Sequence, residues 1–256
     1  MILSKLARLG YASAGLVYMI VGALTIAAGL GKRRPGSSTH DAFVMILEQP
    51  FGRIALVVIA FGLIGYALWR FVSGVTDNEH RGSDAKGFAI RIGSIGRGVI
   101  YASFAVQVIR LIAHRGGNSG GDQQAQHWTA GILDAPFGPW LVGAIGIAIV
   151  ITGAYQLWAA WDSKLSKRLH LGELDSRVRR KVIAISRFGI GARGIVFFIA
   201  GGSLVLAAVR HDPNKAHGTA GSIAMLPQPM LIFMGVGLIA YGVYALVNAR
   251  YRDIRT

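Results

Sequence analysis

Polarity along the chain varies on a long period. Six apolar stretches, at 9–30, 53–73, 92–113, 138–161, 188–209 and 229–249, are separated by segments that hold most of the charged residues. A helix rises 1.5 Å per residue, so about 20 residues cross a hydrocarbon core of about 30 Å. The pattern therefore predicts six transmembrane helices and an all-α membrane protein. Residues 9–31 and 135–161 carry no charge and meet the length requirement unaided, and the sixth stretch also meets it. The third and fifth are interrupted. Arg97 and Arg110 bracket only 12 uncharged residues, about 18 Å of helix. Arg193 and Arg210 bracket 16. Either these arginines snorkel to the interfaces or the deeper ones face the protein interior.

The spans form a threefold internal repeat, at approximately 8–73, 91–161 and 187–249. Each odd span opens on one motif: Arg8-Leu-Gly10 through Tyr18, Arg91-Ile-Gly93 through Tyr101, and Arg187-Phe-Gly189 through Phe197. Arg97 and Arg193 share a motif position that Ala14 fills in the first copy. The even spans open on Leu47-x-x-Pro50-Phe51-Gly52, Leu133-x-x-Pro136-Phe137-Gly138 and Leu226-x-x-Pro229. They close on Tyr66-x-x-Trp69, Tyr155-x-x-Trp158 and Tyr241-x-x-Tyr244. Proline suits a first helical turn, and Tyr and Trp suit the headgroup region. The basic start and apolar run of the first span would also fit a signal peptide. Because it carries the same motif as the third and fifth, it is read as a structural helix. The expected architecture is one transmembrane domain of three tandem helical hairpins.

These repeated openings, with Arg91, Gly93, Arg97, Gly98 and Tyr101 in one copy and Arg187, Gly189, Arg193, Gly194 and Phe197 in another, resemble a bacterial membrane family known as domain of unknown function 1206. The resemblance covers nearly the whole chain. It implies three tandem two-helix units in the plasma membrane and supplies no catalytic or binding residues. Ala14 is a departure from the pattern.

Composition agrees. Hydrophobic residues make up 53% of the chain, charged ones 15%, and mean hydropathy is +0.48, which is too apolar for an ordinary soluble domain. The net charge of +15 would suggest nucleic acid in a soluble protein. Here the basic residues fall between apolar spans, which makes them a topology signal, and no nucleic-acid partner is expected. Sixteen Lys and Arg lie on the side of the amino terminus, against six on the other side or seven with Arg53. The positive-inside rule then places both termini in the cytoplasm of a multi-pass plasma-membrane protein.

Candidate chemistry is sparse. With no cysteine, disulfides, thiolate chemistry and cysteine-based metal sites are excluded. None of the six spans contains Asp or Glu, the residues that mark proton relays and cation sites within membranes. The spans hold no Gly-x-Ser-x-Gly elbow, no His-Glu-x-x-His, no phosphate loop and no mid-span Lys. No enzyme, cofactor or metal site is expected. His40, His114, His127, His211 and His217 fall on the outer side beside Asp41, Asp122, Asp134 and Asp212 without fixed ligand spacing, so they read as solvated loop residues.

Arg97 and Arg193 follow their helix starts by one to two turns and share a leaflet with Tyr66, Tyr155 and Tyr241. One reading is a partial cationic ring that binds or conducts a small anion or an anionic lipid head group. The other is structural: the arginines snorkel, or donate to the carbonyls at a neighbouring helix end. Arg8, Arg91 and Arg187 read as interfacial anchors. The pairs Gly10/Gly15, Gly93/Gly98 and Gly189/Gly194, five residues apart, read as close helix crossings. The 162–187 segment, with Leu165, Leu169, Val178 and Val182 among eight basic residues, is expected as a loop. It is either a topology determinant or an amphipathic stretch lying on anionic lipid. The leading function is therefore a non-enzymatic membrane protein that binds or conducts an anion or anionic lipid. The competing class is a structural or assembly protein whose partner is another membrane protein or a second copy of itself.

Overall fold

A computed structural model describes residues 2–32, 39–76, 85–114, 121–162 and 175–251. Six long helices dominate: α1 (Ile2–Gly29), α3 (Gly52–Val75), α4 (Ala85–His114), α6 (Gly138–Trp161), α7 (Ser176–Arg210) and α9 (Gln228–Tyr251). Each holds a segment long and apolar enough to cross a membrane. Helices solve the problem a bilayer poses, because every backbone N–H and C=O is satisfied within the segment. Among the described residues, three short helices lie between them, α2 (Thr39–Leu47), α5 (Gly121–Leu133) and α8 (Thr219–Ala224), together with a 3-10 turn at Pro213–Lys215. The sequence reading had these segments as loops.

Two boundaries also differ from the periodic apolar pattern. The fifth span begins at Ser176, not near 188, so residues 176–187 are its first three turns rather than part of a loop. Arg and Lys are good helix formers, and the Asp175 side chain accepts a hydrogen bond from the Arg177 N–H at the exposed helix start. Val178 and Val182 belong to this extension, whereas Leu165 and Leu169 lie outside the described residues. The expected basic amphipathic loop is thus partly helix. Pro50 and Pro136 precede their helices instead of sitting in the first turn.

The Pro-Phe-Gly motif makes a tight corner between a short helix and a span. Phe51 and Phe137 adopt left-handed backbone conformations, with φ of 63° and 62°, which costs a bulky residue energy. Gly52 and Gly138 donate to the carbonyls of Gln49 and Ala135, both at 2.8 Å. A Cβ at either glycine would collide with backbone of the short helix, at Ile46 or Ile132. Only glycine fits. The Phe51 and Phe137 side chains themselves are exposed.

The chain divides into two compact units, Met1–Leu16 with Phe43–Gly117 and Ala245–Thr256, and Val17–Ala42 with Asn118–Tyr244. In the first unit, α3 and α4 run antiparallel. The Gly74 backbone faces Ile95, and Gly98 lies against the ring of Phe71. The start of α1 rests on α3, where a Cβ at Gly10 would stand 2.8 Å from the Gly62 carbonyl oxygen. In the second unit, α6 and α7 pair through Gly146, Gly153, Gly194 and Gly201. There, α9 packs on α7 at Gly189 and on the later half of α1 at Gly22 and Gly235. The extensive α3–α4 and α6–α7 contacts each join the even helix of one repeat to the odd helix of the next. The two most extensive pairings therefore bridge successive repeats, whereas α1–α3 and α7–α9 pack within one.

Candidate functional site

Each unit holds an arginine in a cage of aromatic rings and hydroxyls. In the second unit the arginine is Arg193 on α7. Its Nε donates to the Tyr18 hydroxyl at 2.9 Å and its Nη1 to Gln156 Oε1 at 2.9 Å. The guanidinium carbon lies 4.1 Å from the ring centre of Phe197, 4.8 Å from Tyr241 and 5.6 Å from Tyr18. Tyr18 and Tyr241 meet edge to face at 4.7 Å. Four helices thus contribute: α1, α6, α7 and α9. Helical spacing explains why Arg193 and Phe197, four residues apart, share a face. Rings within about 6 Å of a cation attract it by about 2 kcal/mol when desolvated.

In the first unit the arginine is Arg70, which is only 4% exposed. Its Nε and Nη2 donate to the Tyr66 hydroxyl at 3.0 and 2.7 Å, and Nη2 donates to the Tyr11 hydroxyl at 3.1 Å. The guanidinium carbon lies 4.3 Å from the centre of Trp69 and 5.0 Å from that of Tyr66. Tyr11, Tyr66 and Trp69 form a buried cluster, with Tyr101 packed against Tyr66 at 4.4 Å. An ion buried without such partners would cost several kcal/mol. Hydroxyls and π faces solvate the guanidinium.

Among the residues singled out in the sequence, Arg193 and Tyr241 come together and Tyr66 joins Arg70. Arg97 is exposed on α4 in the first unit and donates to Ser94 Oγ at 3.5 Å. Tyr155 is half exposed on α6, 5.8 Å from Trp158 between ring centres. Arg97 and Arg193 belong to different units. The sequence reading did not single out Arg70 or Gln156, and it had Tyr11, Tyr18 and Trp69 only as motif residues, not as members of a site. For Arg70 a signal existed, since Tyr66 and Arg70 stand at the i, i+4 spacing of one helix face. Nothing local could have linked Arg193 to Tyr18, 175 positions away.

Two of the motif-opening arginines have a defined task. Arg91 donates to the carbonyls of Gly74 and Val75 at 2.8 and 2.7 Å, closing the end of α3. Arg187 does the same for α6 through Ala160, at 2.7 Å, and Trp161. A helix end leaves four carbonyls unsatisfied and carries partial negative charge, so a guanidinium there supplies both hydrogen bonds and favourable electrostatics. Arg8 is exposed. The repeated glycines also differ in use. Gly10 and Gly189 press on the even helix of their own repeat, and Gly98 and Gly194 on the preceding even helix. Gly15 is buried. A Cβ at Gly93 would meet nothing within 4 Å.

Six membrane-spanning helices in three tandem pairs define this as a multi-pass helical membrane protein with an internal threefold repeat. The chain belongs to the family called Domain of Unknown Function (DUF1206), whose sequence model matches residues 9–77, 92–162 and 188–252. It is similar to the uncharacterized protein YxxB of Bacillus subtilis (strain 168), with 30% identity over 259 residues covering 98% of this chain and 92% of the relative. No solved structure matches it.

Proposed function

We propose that this chain is a non-enzymatic binding protein of the bacterial plasma membrane that takes a small anion or the anionic head group of a lipid at its membrane-embedded arginines. Arg193 is the leading residue. The observation that supports this most is the pairing of its cage with the composition of the spans. Its named partners are the Tyr18 hydroxyl, the Gln156 carbonyl oxygen and π faces, all neutral. The six apolar spans contain no Asp or Glu. A guanidinium set among hydroxyl, amide and aromatic groups in an apolar span offers the charge-assisted donors that a phosphate or other anion recognises. The Lys and Arg bias argues that both termini face the cytoplasm, which would put Arg193 and Arg97 in the cytoplasmic leaflet.

The test is binding by the purified full chain, comparing phosphatidylglycerol with phosphatidylcholine by native mass spectrometry, and inorganic phosphate by its effect on thermal stability. The arms separate a lipid head group from a free anion. Arg193→Gln should weaken the phosphatidylglycerol or phosphate signal about fivefold or more, and Arg97→Gln reports separately on the other unit. An Arg193→Gln protein that keeps both its stability and full anion binding would overturn the reading.

A second reading, assembly with another membrane protein, has one observation in its favour. The motif face of α4 carries Gly93 and Gly96, with no atom within 4 Å of either added Cβ, and exposed Ile92, Val99 and Ile100. Small residues on a lipid-facing helix allow close approach of another helix. The chain has no cysteine, so Gly96→Cys offers a clean probe. Disulfide-linked oligomers in native membranes would support assembly, and their absence would count against self-assembly through this face.

A further inference from the structure

The first unit contains a feature that neither arginine cage explains. Between α3 and α4 runs an open groove of about 300 Å³. Its walls are apolar, with Val57, Phe61 and Ile64 on one side and Ile109, Ile112 and Ala113 on the other. The groove lies toward the end of the pair where α3 begins and α4 finishes. There Arg53, one turn before Val57 on the same helix face, reaches across and donates from Nη2 to the Ile112 carbonyl oxygen at 3.3 Å. Arg53 is exposed, so its guanidinium stands at the mouth of the groove and not under it.

We propose that this groove seats one acyl chain of an anionic phospholipid, with the lipid phosphate at Arg53. The volume is at the small end of ligand sites, room for one hydrocarbon segment and not a whole lipid. Both helices are membrane-spanning, and several of the wall residues are exposed, so a chain can enter sideways from the bilayer. Moving an acyl chain from lipid to an apolar groove gains no hydrophobic free energy, because the surroundings are equally apolar. Selectivity must then come from the head group, and the charge at the mouth is positive. This site lies in the unit that does not contain Arg193, and it stands or falls independently of the function proposed above.

The test uses the full chain in phosphatidylcholine vesicles doped with a trace of phosphatidylglycerol carrying a photoreactive diazirine in its acyl chain. Labelled residues are mapped by mass spectrometry. Labelling is expected to concentrate at Val57–Ile64 and Ile109–Ala113. Unlabelled phosphatidylglycerol should compete about fivefold better than phosphatidylcholine, the effect of one cationic side chain at the membrane surface. Arg53→Gln should erase that preference while Arg53→Lys keeps it, and Ala113→Phe should remove groove labelling from a protein that still elutes as wild type. Labelling spread evenly over the lipid-facing side chains, such as Ile54 and Val99, would mean annular lipid only and would sink the proposal. An unchanged head-group preference in Arg53→Gln, with or without a loss of thermal stability, would also do so, because it would leave Arg53 as a helix-end clamp. A diazirine fatty acid that labels the groove without competition from phosphatidylglycerol would overturn the choice of occupant.

Discussion

At the scale of single residues, the arginine cages show how hydroxyls and aromatic faces surround a cation within apolar helices. Arg70 splits its donors between hydroxyls from two helices and stacks on Trp69. The arrangement needs a planar fork, so lysine is not a conservative replacement. Arg70→Lys should lower the thermal midpoint of the purified protein by about 5 °C, the shift that corresponds to about 2 kcal/mol in a chain of this size. Tyr11→Phe removes a single hydroxyl and should cost about 1 kcal/mol. Both are measured by the fraction remaining monodisperse after heating. If Arg70→Lys matched wild type, the cage would be a bystander to stability. Arg91 and Arg187 act at the same scale as helix-end donors, which explains why the motif opens on arginine in both of those copies.

At the scale of elements, one glycine motif meets three different surroundings. A methyl group at Gly189 would collide with the backbone of α9 at Ala240 and Tyr241, and at Gly10 with α3 at Gly62 and Tyr66. At Gly93 it would enter open space. Alanine is the better helix former by about 1 kcal/mol. Gly93→Ala should therefore leave stability unchanged or raise it slightly, whereas Gly10→Ala and Gly189→Ala should each lower it by several degrees. A uniform response of all three would show that the motif position matters only through helix propensity. The sequence marked the glycine pairs as crossing points, and Gly93 lies at none. Which helix each of the others would cross was not marked, because the tight α3–α4 and α6–α7 pairs bridge successive repeats.

At the scale of the whole molecule, the spans set the topology. Among the described residues six helices are long and apolar enough to cross a membrane, an even number. The chain contains no cysteine, so single replacements report sidedness cleanly. With the cytoplasmic termini proposed here, Thr256→Cys should react with an impermeant maleimide only after cells are opened, and Ser37→Cys should react in intact cells. The reverse pattern would invert the protein and place Arg193 in the outer leaflet.

The sequence alone determined six membrane helices, their threefold repetition and the absence of carboxylates within them. These follow from hydrophobic period and composition, and in lipid each helix closes its own backbone hydrogen bonds without help from neighbours. The short helices α2, α5 and α8 escaped that reading because each is too short to cross a membrane, the length on which it relied. The tertiary structure alone decided which cations meet which rings. Arg193 finds Tyr18 from the far end of the chain, Tyr66 serves Arg70, and Arg97, in the same motif position as Arg193, stays exposed. Equivalent residues in a repeat share local geometry, but their neighbours come from other helices, and no local pattern encodes those.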